Sequence, residues 1–211
     1  MTDTRKAGTL ILENLAMFNE AAMLYEDVIE REIFEKLDNV IQNWAQENGW
    51  ENKTISDADF NFEAWVAPPK WNASGDNKEE PSKANFSLWY LEEDATNSFF
   101  VADLCGVGQT EMGFWFEISY PTFGGRTKWN AFAKTIPTDM TKKIAEFGFR
   151  DQGRCAYFLP IKLDHEKMAR AWDNEDYTEC FEPIVSALKT LKDSQSVFDE
   201  LLAMAGAFLN K

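Results

Sequence analysis

A catalytic or ligand-binding site needs side chains that carry charge or protons, and this chain is short of the commonest ones. It holds one histidine, His165, and three cysteines, Cys105, Cys155 and Cys180. A serine or cysteine nucleophile assisted by histidine would have to use His165. That residue stands in Asp164-His165-Glu166-Lys167, at an expected helix start, with no GxSxG or Cys-centred signature nearby. We expect a solvated first-turn histidine. The cysteines are odd in number, widely spaced and without a CxxC pair, which fits free thiols in a reducing compartment rather than a zinc site or a disulfide framework. No cofactor is expected, because Gly106-Val107-Gly108 and Gly124-Gly125 stop short of a phosphate-binding fingerprint.

Carboxylates are the remaining catalytic chemistry. A metal-dependent nuclease needs two or three of them with a lysine at a sheet edge, where bound magnesium activates water and stabilises the leaving oxygen. Glu63, Asp103 and Glu117 fall on three expected strands and are the residues such an enzyme would use. No lysine lies two residues after Glu117, and Glu51-Asn52-Lys53 falls at an expected turn. In so acidic a chain, carboxylates on the solvent side of a sheet serve solubility first. A nuclease or hydrolase, or an accessory domain of one, is therefore the alternative reading, and no metal site is assigned.

Binding chemistry is better represented. If the strands around 60–66, 86–91 and 112–120 pair in the simplest way, Trp65, Trp89 and Trp115 share the sheet face opposite a Phe-rich core face. C-terminal helices could cover that face; left open, it would form a groove for a partner's apolar segment or a planar ligand, since Trp anchors are frequent at binding hot spots. After it comes a basic island containing Arg126, Lys128, Lys142 and Lys143. Those seven residues are the candidate binding set.

The elements that must position them follow from periodicity. In 112–120 the even positions Met112, Phe114, Phe116, Ile118 and Tyr120 are apolar, the period of a half-buried strand. Similar arguments give about five strands, near 55–66, 86–92, 98–105, 112–120 and 154–162, forming a mainly antiparallel sheet. Reversals are expected at 92–98 and 106–111, and a long polar surface loop follows Pro68-Pro69. Apolar residues recur at helical spacing over 9–47, with Gly49 as the stop and a break expected at Asn19-Glu20. Thr138 opens a helix that ends at Gly148, Asp164 caps another, and a long helix from about 181 to 208 carries Pro183 in its first turn. The expectation is one α+β domain over 1–211: helical at 9–47, sheet at 55–162 with a helical insertion near 129–147, and helical at 164–208.

Composition narrows the partners. The 211 residues carry a net charge of −15, and only the stretch 101–150, with 5 acids and 6 bases, is not acidic. Affinity for nucleic acid comes largely from Lys and Arg displacing counterions, so direct nucleic-acid binding is disfavoured. The first residues are too polar for a signal peptide or a membrane span. The reading is a non-enzymatic, cytoplasmic protein-binding module whose partner presents a basic surface. It would act as an inhibitor or immunity-type protein, or as a nucleic-acid mimic in a cationic channel. Self-association through acidic helices and the basic island is a third reading.

Overall fold

Seven aligned residue pairs, from Ala84↔Ile118 to Tyr90↔Met112, join strands β3 (Ala84–Tyr90) and β4 (Met112–Ile118) at the centre of the molecule. In the computed structural model, which describes residues 2–56, 62–71, 83–92 and 99–209, this hairpin is the middle of a six-stranded antiparallel sheet. The other strands are β1 (Glu51–Ser56), β2 (Phe62–Ala67), β5 (Arg150–Asp151) and β6 (Tyr157–Ile161), in the order β1-β2-β3-β4-β6-β5. The fold is α+β as expected, with six strands where about five were expected. The expected strand near 55–66 is two strands, and the two-residue β5 is too short to leave a periodic signal.

The expected strand at 98–105 is instead a helix, α4 (Phe100–Leu104). Phe100, Val101 and Leu104 are buried and stand at i, i+1 and i+4, which puts them on one helical face. The part of the 92–98 reversal at 93–98, the polar stretch 72–82 and residues 57–61 of the expected strand lie outside the described residues.

Alternation decides which side of the sheet is core. Ala64, Val66, Phe86, Leu88, Phe114, Phe116, Tyr157 and Leu159 point one way and are all buried. Two helices cover this face. Helix α3 (Glu30–Asn48) lays Ile33, Leu37, Ile41 and Ala45 on it, an i, i+4 stripe. It stops as its sequence indicates: Gly49 has φ +65°, and the N–H groups of Gly49 and Trp50 donate to the Gln46 and Ala45 carbonyls, a Schellman closure. Helix α8 (Glu182–Leu209) brings Phe198 to the centre. Its ring lies 5.1 Å from Phe86, 4.4 Å from Phe116, 5.0 Å from Phe149 and 5.9 Å from Tyr157.

Shorter helices complete the frame. Helix α5 (Arg126–Ala133) and α6 (Thr138–Ala145) form the expected insertion, and α7 (His165–Asn174) is capped by Asp164, whose Oδ1 accepts from Glu166 N and Lys167 N at 2.8 and 3.0 Å. At the other end, α1 (Thr2–Glu13) and α2 (Leu15–Leu24) lead through a π-helical turn, Tyr25–Ile29, into α3. The break expected at Asn19-Glu20 falls at Asn14, whose side chain donates to the Leu10 carbonyl at 2.9 Å.

Candidate functional site

The face opposite the Phe core carries Trp65, Ser87, Trp115 and Phe158 in one row across β2, β3, β4 and β6. Trp89 is the next outward residue on β3. The three tryptophans therefore share a face, as the alternation implies, and α3 and α8 occupy the other side. They do not behave alike. Trp65 is 5% exposed, Trp115 is half-buried and Trp89 is 38% exposed.

Trp89 and Trp115 line a cleft of about 540 Å³ that the adjoining loops complete. Trp115 is fixed twice: its Nε1 donates to the Tyr90 carbonyl at 2.9 Å, and its ring lies 5.0 Å from Phe158. Phe158 in turn packs over Gly113, where a Cβ would meet the Leu159 carbonyl oxygen at 2.2 Å and the Phe158 ring at 2.7 Å. No other residue fits at 113 without moving backbone, so this corner of the cleft is built to one shape.

Two arginines also line the cleft. Arg126, the first residue of α5, lies 5.1 Å from the centroid of the Tyr120 ring. Arg154 comes from the loop between β5 and β6. Gly153, Arg154 and Cys155 have φ of +83°, +56° and +61°, and Ala156 N donates to the Gly153 carbonyl at 2.9 Å. Positive φ at both central residues marks a primed hairpin turn, which favours Asn-Gly; here Arg-Cys fills it. Trp129 Nε1 donates to the Arg154 carbonyl at 3.0 Å and pins the turn. Neither guanidinium forms an ion pair with a described residue. A smaller depression of about 240 Å³, lined by Asn130, Ala133, Lys134 and Arg154, adjoins the cleft.

The cleft thus joins Trp89, Trp115 and Arg126 of the seven candidates. Arg154 was missed in sequence, because neither residue at the turn centre is a turn former. The other candidates lie elsewhere. Trp65 is buried, and the stem of Lys128 lies against Gly124. Lys142 pairs with Asp139 at 3.8 Å and Lys143 with Glu200 at 3.2 Å.

The three carboxylates of the nuclease reading do not converge. Asp103 is on α4 rather than a strand, is buried, and its Oδ1 accepts from Gln109 N and Thr110 N at 2.7 and 3.0 Å, which closes the following loop. Glu63 and Glu117 are exposed on the open face, two strands and four residues apart, roughly 16 Å by strand rise and spacing. Glu117 lines the cleft. Among the described residues, no group of three or more His, Cys, Asp or Glu side chains could hold a metal ion.

The thiols are free and buried. Burial pushes Cys105 and Cys180 up to about 11 and Cys155 up to about 12, so all three are protonated and poorly nucleophilic at neutral pH. His165 is exposed at the start of α7. Among the described residues, no helix is long and apolar enough to cross a membrane. No protein-family model matches the chain, and no curated protein or solved structure matches it either.

Proposed function

We propose that the protein is a protein-recognition module that takes an extended segment of its partner in the cleft between Trp89, Trp115, Arg126 and Arg154. The observation that carries this reading is a pair of arginines, free of ion pairs with described residues, lining one cleft with partly exposed tryptophans in a chain of net charge −15. Arginine forks suit carboxylates, and tryptophan offers a large apolar area at low entropic cost. The segment accepted would carry an aromatic or long apolar side chain beside an acidic one. Three buried thiols support the cytosol as the setting.

Selection from a random peptide display library tests this directly. Enriched peptides are expected to pair an aromatic with an acidic residue, and Trp89→Ala or Arg126→Ala should weaken them by about 30-fold, the weight of an interface hot spot. Undiminished binding to both variants would overturn the cleft. The inhibitor reading, in which acidic helices engage a basic partner, gives a different result. Basic peptides would then dominate, bind Trp89→Ala normally and fall away as salt is raised.

A further inference from the structure

We propose that α1 and α2 form an arm that pairs antiparallel with the same arm of a second copy of the chain. No residue of α2 is buried, although its sequence is largely apolar. Of the thirteen exposed large apolar side chains among the described residues, nine lie between Leu10 and Val28, each 40 to 71% exposed. Scattered exposed leucines are ordinary, but a contiguous run is not. These nine side chains lie around the arm and not on one side of it, and in all they present on the order of 800 Å² per copy, the scale of area that a stable interface buries on each partner. Of the nine, Ile11, Leu15 and Phe18 recur with the half-buried Ala22 and Tyr25 at alternating steps of four and three, the spacing of a helix–helix seam.

The occupant follows from what surrounds the arm. At its root, Tyr25, Ile29 and Ile33 run into an apolar groove of about 410 Å³ whose far wall is Val107, Met168 and Trp172. Residues 10 to 28 cover at most about 27 Å across the break at Asn14 and the start of the π-helical turn, so antiparallel pairing brings the tip residues Leu10 and Leu12 of each arm level with the other copy's root and groove. The seam runs through Tyr25 into the groove, which offers the self-complementarity a two-fold interface requires. A lipid surface fits poorly, because beyond Arg5 and Lys6 at its start the arm carries Glu13, Glu20, Glu26 and Asp27 and no base between residues 10 and 28, and anionic headgroups repel those acids. The contact is apolar and independent of the cleft.

Sedimentation equilibrium of the full chain at micromolar concentration is the test, at low and high salt. A mass twice that of the chain is expected at both salts, returning to the chain mass in Leu15→Asp/Phe18→Asp and in Val107→Asp. All three positions are exposed, so circular dichroism should be unchanged in both variants. A monomeric wild-type chain overturns the proposal, in favour of a lipid surface if it co-sediments with mixed phosphatidylcholine–phosphatidylserine vesicles and of a different protein if it does not. A dimer that survives the arm substitutions also overturns it, and one lost in the arm variant but kept in Val107→Asp overturns the antiparallel pairing.

Discussion

Arg154 is held in a backbone conformation that most L residues resist. Left-handed φ costs a non-glycine residue about 1–2 kcal/mol, and the turn spends this at Arg154 and again at Cys155. A bond from Trp129 and the β5–β6 pairing hold the turn, and the result is an arginine in the lining of the cleft. Asparagine tolerates this conformation better. Arg154→Asn should therefore raise the unfolding free energy by about 0.5–1 kcal/mol in urea while weakening the selected peptides. A variant that is no more stable than wild type would show that the turn carries no strain. The tryptophan face was legible in sequence because alternation is a local property. Arg154 was not, because the turn that aims it contains neither asparagine nor glycine at its centre.

At the scale of elements, α4 shows how local pattern and tertiary packing divide the work. Its five residues are too few to persist alone, and carboxylates secure both ends. Asp103 closes the loop after it. Before it stands Glu30 of α3, a buried carboxylate that accepts from Tyr25 Oη at 3.3 Å and from backbone N–H groups of Phe100 and Val101. Burial raises the Glu30 pKa above the usual carboxylate range, and these hydrogen bonds offset the rise only in part. An acid with a raised folded-state pKa lends stability below its unfolded pKa and loses it as pH climbs through the folded value. Thermal melts across that window should show wild type losing stability relative to Glu30→Gln as pH rises. A difference that is flat, or of opposite slope, would refute the assignment. Sequence indicated the ends of α3, α7 and α8 well, because Gly49, Asp164 and Pro183 act through local backbone geometry. It misplaced α4 because a short apolar run satisfies a strand and a buried helix equally. It showed an apolar stripe on α1 and α2 without showing that the rest of the chain leaves it uncovered, since periodicity reports only which side is apolar.

For the molecule as a whole, charge is the term that local structure does not set. A net −15 makes the folded state repel itself, and residues 1–50 and 151–211 hold 21 of the 36 acids. Added salt shortens the reach of that repulsion to about 10 Å at 0.1 M. In the arm variant Leu15→Asp/Phe18→Asp, where self-association plays no part, raising sodium chloride should lift the melting temperature by a few degrees, on the order of 1 kcal/mol. A fall would mean that attractive pairs such as Arg150–Glu111 at 2.8 Å outweigh the repulsion. Phe198 has a consequence of another kind. It touches β3, β4, β6 and the residue before β5, and more than half the chain length separates it from Phe86. During synthesis every strand leaves the ribosome before the side chain that seals them, so the part of the Phe face that α8 covers stays open after α3 and the strands are made, and its closure is long-range.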